Sequence, residues 1–137
     1  MKNKERLKTS LINDEAFRSK PYRCSANKLT IGVGRNIEDR GISRKEGLFL
    51  LDNDIREVEE DMLGLFPRFG QFSESRQVAL MNMRFQLGYR RFRKFKKMIQ
   101  AVRNRDWGEV KVQAKDSKWY RQVTRRAERI LKMLGEE

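Results

Sequence analysis

Histidine is absent from this chain, and cysteine occurs once, at Cys24. The first absence excludes histidine-based triads and His-ligated zinc, and the second excludes an internal disulfide. A single thiol fits a reducing or redox-indifferent compartment. Long apolar runs are also missing. The longest is Gly47-Leu48-Phe49-Leu50-Leu51, far short of the roughly 20 residues that a bilayer span requires. The opening MKNKERLKTS has no apolar stretch of the kind that marks an export signal, so secretion by the general route is not expected.

Basic charge, by contrast, is abundant. The 137 residues carry 32 Lys and Arg against 19 Asp and Glu, a formal charge of +13. Residues 1–68 hold 14 basic and 12 acidic side chains, and residues 69–137 hold 18 and 7. An anionic partner is therefore expected at the second half: nucleic acid, an anionic membrane or the polymers of a bacterial envelope. Although hydrophobic residues make up only 38%, two Trp, three Tyr, eight Phe and six Met suffice for one packed domain rather than a disordered chain.

Leu7, Leu11 and Asp14 recur at helical steps, predicting a short N-terminal helix that ends near Asp14-Glu15. Pro21 then disfavours helix. The turn residues Ser25-Ala26-Asn27 lead into Leu29-Thr30-Ile31-Gly32-Val33-Gly34, a β-hairpin pattern. On its second strand Thr30, Gly32 and Gly34 share a face almost bare of side chains, which a ligand could approach closely. Ser43 with Glu46 forms a capping box for a helix of roughly 20 residues, striped by Leu48, Leu51, Ile55, Val58, Met62 and Leu65 and ended by Gly64 and Pro67. Its opposite, acidic face, which includes Asp52, Glu59 and Asp61, reads as solvated. Residues 74–87 are apolar around most of the circumference and predict a helix at the centre of a bundle. Phe92, Phe95, Ile99 and Val102 predict a fourth helix, Asp106 with Glu109 caps a fifth, and Thr124 opens a last one through Ala127, Ile130, Leu131 and Leu134.

Two groups of residues could carry chemistry. Glu15, Cys24 and Thr30 fall at a helix end and on two paired strands. Glycosidic hydrolysis needs an acid for the leaving oxygen and a second group that holds or replaces the attacking water. Taken alone, a terminal Glu is more often a solvated charge and a lone Cys small core filler. The second group is Arg90-Arg91-Phe92-Arg93-Lys94-Phe95-Lys96-Lys97, six cations interleaved with two aromatics, which could follow phosphates and stack bases. The simpler reading makes Phe92 and Phe95 core anchors with solvated cations around them.

Glu15, eight residues, Cys24, five residues and Thr30 resemble the catalytic spacing of the phage-type lysozymes, the T-even phage lysozyme and endolysin family of muramidases, whose middle position is Asp or Cys. Leu11-Ile12-Asn13-Asp14-Glu15 with Tyr22, then Thr30-Ile31-Gly32-Val33-Gly34, looks like the family's catalytic hairpin. Residues 79–88 are similar to its central buried helix. Trp119-Tyr120-Arg121-Gln122 and Arg126-Ala127-Glu128-Arg129 are similar to its penultimate turn and last helix, so the resemblance covers about residues 7–131.

The resemblance implies an α+β, mostly helical lysozyme fold: a small hairpin lobe at about 14–45, a connecting helix at about 43–63, and a helical lobe at about 66–137 joined by the N-terminal helix. A cleft is implied between the lobes. Glu15 would be the general acid and Thr30 would help hold the attacking water. Arg126 would pair with Glu15 and Asp14, while Gln86 and Trp119 would brace the cleft beside the exposed backbone at Gly32. Cys24 stands where the best-known members have Asp, so it either positions water or attacks directly. Arg35 replaces a frequent His, and the segment from Arg35 to Gly41 is short for the family. The implied reaction is hydrolysis, with inversion, of the β-1,4 bond between N-acetylmuramic acid and N-acetylglucosamine. No metal or organic cofactor is implied. The expected partners are peptidoglycan and anionic envelope polymers rather than specific nucleic acid, with the chain a monomer. It would be held in the host cytoplasm until a holin releases it to the wall, or carried in a virion. The alternatives are a wall-binding lysozyme fold without chemistry and a basic nucleic-acid binder.

Overall fold

Leucines at helical spacing form helix α1, Lys4–Glu15, and the chain leaves it at Ala16, whose φ of 59° and ψ of 165° cannot continue a helix. The computed structural model describes residues 2–137. Internal packing divides the chain into two units, one extending to Phe49 and the other spanning Leu50–Glu137.

In the first unit, α1 is followed by an antiparallel sheet of β1 (Arg18–Arg23), β2 (Leu29–Gly32) and β3 (Arg35–Asn36), in the order β1-β2-β3. Tyr22 pairs with Thr30 and Arg18 with Gly32, with an irregularity in register between them. Pro21 sits in this stretch of an edge strand, where a missing N–H is tolerated. Asn27, at φ 59°, closes the hairpin by donating its N–H to the Cys24 carbonyl, while the Cys24 N–H donates to Lys28. The third strand and the short helix α2, Ile37–Arg40, carry no periodic signal in the sequence. Instead, the Asn36 side chain accepts the Asp39 N–H and starts α2 locally.

Surface pairs tie this unit together. Arg23 and Lys28 both meet Glu38, Lys28 also reaches Asp39, and Arg35 meets Glu46. The Glu38 carboxyl lies below its usual pKa, chiefly because it accepts the backbone N–H of Leu29, with Arg23 and Lys28 adding to the effect. Thr30 is the one buried residue of this unit among those described, at 3% exposure.

Helix α3, Arg44–Leu65, starts as the capping box predicts: Ser43 N–H donates to Glu46 Oε1, and Glu46 N–H donates to Ser43 Oγ. Of its apolar stripe, Val58 and Met62 are buried, whereas Leu48, Leu51 and Ile55 stay exposed. The acidic face is not uniformly solvated. Asp61 Oδ2 accepts both Nε and Nη2 of Arg84 at 2.8 Å, a paired contact in a half-buried setting.

Helix α4, Glu74–Leu87, has the predicted bounds but not the predicted environment. Ala79, Leu80, Met83 and Leu87 are buried, while Val78, Met81 and Phe85 line an open apolar depression of about 260 Å³ with Leu51, Ile55 and Val58. The expected fourth helix is two pieces, α5 (Tyr89–Phe92) and α6 (Lys96–Arg103). The break lets Phe92 sink fully into the core while Phe95 turns edge-on to Trp119 at 6.5 Å, an arrangement one straight helix does not provide. Helix α7, Trp107–Lys115, is capped by Asp106 accepting the Glu109 N–H. It is followed by α8, Lys118–Gln122, and α9, Thr124–Leu134. Thr124 does not cap α9; its hydroxyl donates to the Tyr120 carbonyl instead. Phe66, Phe69, Phe72 and Trp107 form an aromatic cluster with edge and tilted contacts at 5.0–6.3 Å, and α9 closes on α4 through Ala127, Ile130, Leu131 and Leu134. Among the described residues, no helix is long and apolar enough to cross a membrane.

Candidate active site

Glu15 is the last residue of α1, and the turn at Ala16 directs the chain into β1 directly after it. Its side chain lies against the hairpin backbone at Gly34. A methyl group built on Gly34 would stand 3.0 Å from Glu15 Cγ, Cδ and Oε2, tighter than an ordinary van der Waals contact, so the carboxylate would have to shift. Gly34 also has φ +65°, a conformation that a side chain resists. Backbone conformation and the closeness of Glu15 thus both favour glycine where the carboxylate meets the hairpin. Gly32, at φ +70°, differs: a methyl group there would meet none of the described residues within 4 Å, so its backbone is open.

Cys24 ends the hairpin's first arm, half-buried and unbonded to another cysteine. Its thiol is held below its usual pKa, first by the backbone N–H of Lys28 and then by that of Ala26, with desolvation opposing them, and the Thr30 hydroxyl lies beside the sulfur. Thr30 Oγ1 donates to the Lys28 carbonyl at 2.8 Å. With its one proton so engaged, the hydroxyl oxygen is left as an acceptor. The bare-face reading holds at Gly32 but not at the other two positions, since Thr30 is buried and Gly34, in the turn after β2, is covered by Glu15. Within this unit Glu15 therefore meets the hairpin, and Cys24 meets Thr30. Asp14 is exposed on α1 beside the acid.

Gln86, Trp119 and Arg126 belong to the second unit. Trp119, 4% exposed, donates Nε1–H to Gln86 Oε1 at 2.9 Å and so joins α8 to α4. Arg126 donates Nε–H to Asn82 Oδ1 at 2.9 Å. Asn82 was not singled out in the sequence, although its place four residues before Gln86 on α4 puts both on neighbouring turns of one helix. Gly34 was read only as part of a bare face, and the approach of Glu15 to it was missed. Its signal is the second glycine of Gly32-Val33-Gly34 following a helix that ends in a carboxylate.

The chain matches the phage lysozyme family over residues 13–132, and it belongs to that family. Among curated proteins it is similar to the pre-baseplate central spike protein Gp5 of Enterobacteria phage T4, 33% identical over 103 residues, covering 72% of this chain and 18% of that protein. It is also similar to the probable T4-type lysozyme 2 of Dictyostelium discoideum, 24% identical with 91% of each chain covered. A third relative is the peptidoglycan hydrolase gp36 of Pseudomonas phage phiKMV, 24% identical over 131 residues, 91% of this chain and 14% of that protein. The chain thus spans less than a fifth of the two phage relatives and most of the amoebal one.

Proposed function

We propose that this protein hydrolyses bacterial peptidoglycan at the β-1,4 bond between N-acetylmuramic acid and N-acetylglucosamine. The observation that carries the reading is the Glu15 carboxyl set against Gly34 of the same hairpin unit that holds Cys24 and Thr30. Family membership supports the reaction class. Glu15 donates its proton to the glycosidic oxygen as the bond from that oxygen to the muramic-acid anomeric carbon breaks. Water then attacks the anomeric carbon. The Thr30 oxygen, its own proton committed to Lys28, accepts a hydrogen bond from that water and turns a lone pair toward the carbon. The Cys24 sulfur, shifted toward thiolate, takes the water's second proton. In the variant route the thiolate itself attacks, and a second displacement by water restores it. Asp14, Gln86, Trp119 and Arg126 support this chemistry, and Gly32 leaves sugar room over the hairpin. The substrate brings no requirement for a metal or an organic cofactor. The protein acts as a monomer, delivered either through holin-dependent release from the host cytoplasm or as part of a virion.

The test is digestion of purified peptidoglycan with products resolved by mass and anomeric form. Reducing muramic-acid ends without a 1,6-anhydro product are expected. Inversion identifies water as the attacking group, and retention identifies the thiolate. Cys24→Asp should keep or raise the rate and Cys24→Ala should lose most of it. No release from folded protein would overturn the proposal and leave a wall-binding fold or a nucleic-acid binder.

A further inference from the structure

The basic run that begins at Arg90 takes no part in the chemistry above, and its surroundings form a feature of their own. Three depressions of the second unit lie next to one another. The first, of about 400 Å³, is edged by Lys94, Lys96 and Lys97. The second, of about 380 Å³, is edged by Arg93, Lys96 and Arg103. The third, of about 220 Å³, is edged by Arg68, Arg103 and Arg105. Lys96 belongs to the first two and Arg103 to the last two, so each depression adjoins the next across a shared cation. These two residues stand two turns apart on α6, roughly 10 Å along its axis. Asp116, in the first depression, is the one carboxylate lining any of the three.

None of these seven cations forms an ion pair with a carboxylate among the described residues. Several are nevertheless held in place. Arg103 Nε–H donates to the Leu65 carbonyl at 3.1 Å, Arg105 Nη2 donates to Gln71 Oε1 at 2.7 Å, and the Arg93 guanidinium sits 5.2 Å from the Tyr89 ring centre. A row of positioned but uncompensated charges suits a ligand whose negative charges recur along a chain. The aromatics of the run restrict the chemistry further. Phe92 is fully buried, Phe66 and Phe72 nearly so, and Phe95, at the edge of the first depression, is half-buried and turned edge-on to Trp119, so the seven cations far outnumber the ring surface on which a base would stack.

We propose that the three depressions form one binding track for a linear polymer with phosphodiesters in its backbone and no bases, of the kind attached to bacterial cell walls. The choice of a wall polymer rests on the peptidoglycan reading, whereas the track itself does not.

The probe is poly(glycerol phosphate), with binding measured at low and moderate salt. Affinity should fall steeply as salt rises. The pair Arg93→Gln with Lys96→Gln should weaken binding by about tenfold or more, because it removes contacts from the middle of the track. The pair Arg125→Gln with Arg129→Gln removes the same charge from α9, away from the track, and should weaken binding less than about threefold. On peptidoglycan stripped of attached polymer the Arg93 and Lys96 variant should release reducing ends at the wild-type rate, which separates failure of the track from failure of the hydrolytic reading. Equal losses in the two charge-matched pairs would overturn the proposal in favour of net charge alone, as would no binding at all. Oligo(dT) of the same phosphate number binding about tenfold tighter would overturn it in favour of nucleic acid, and the same preference for phosphatidylglycerol vesicles would make the face a membrane surface.

Discussion

Between Val58 and Leu134 the protein buries Phe66, Phe92, Met62, Leu80 and Met83 almost completely, whereas among the described residues up to Phe49 the buried one is Thr30, a small hydroxyl side chain. The first unit is organised by backbone turns, by Asn36 and Ser43 as caps, and by charged pairs around Glu38 and Glu46. The second is organised by apolar packing. The candidate catalytic groups lie in the first unit. The difference matches what each has to do: exposed polar groups can be set beside a substrate by turns and glycines, while a large apolar core secures helices whose outer surface is free to carry charge.

Substitutions should act differently on the two units. Phe92→Ala leaves a cavity in the second unit and should cost about 3–5 kcal/mol of stability, read as a lowered midpoint in denaturant unfolding. Gly34→Ala should cost about 1–3 kcal/mol from its positive φ. It should also lower turnover, because the added methyl group displaces Glu15. If the two effects separate, with stability lost and turnover kept, the close approach of Glu15 to the hairpin is not functional. The smallest change is expected for Glu38→Gln. The wild-type carboxyl titrates below its ordinary value in the folded protein, mainly through the Leu29 N–H. Its contribution is therefore complete above the ordinary glutamate pKa of about 4.3 and disappears as pH falls through the lower folded value. Thermal midpoints of wild type and variant should differ at neutral pH and converge in acid. A constant gap across that range would remove the ionised carboxylate from the explanation.

Legibility in the sequence also divides between the units. Helices α3 and α4 were readable because caps and periodicity are local: Ser43 with Glu46, and the run from Glu74 to Leu87. The break between α5 and α6 was not, since Phe92, Phe95, Ile99 and Val102 fit one continuous helix until the core demands different directions of the first two. Likewise α4 carries apolar residues all round, yet its Val78, Met81 and Phe85 side forms an open depression, and periodicity cannot say which apolar side is covered. At the candidate site the spacing of Glu15, Cys24 and Thr30 was visible, and the family resemblance gave it meaning. The approach of Glu15 to Gly34 spans 19 positions and comes from the hairpin's path, and the inward turn of Thr30 from its bond to Lys28. Neither leaves a periodic trace.

The most direct test of the central claim, that Glu15 on the hairpin unit performs acid catalysis on peptidoglycan, is reducing-end release from purified peptidoglycan by wild type and Glu15→Gln at matched folded concentration. The account predicts a loss of about 100- to 10,000-fold with an unchanged unfolding midpoint. Turnover retained within a fewfold of wild type would contradict it.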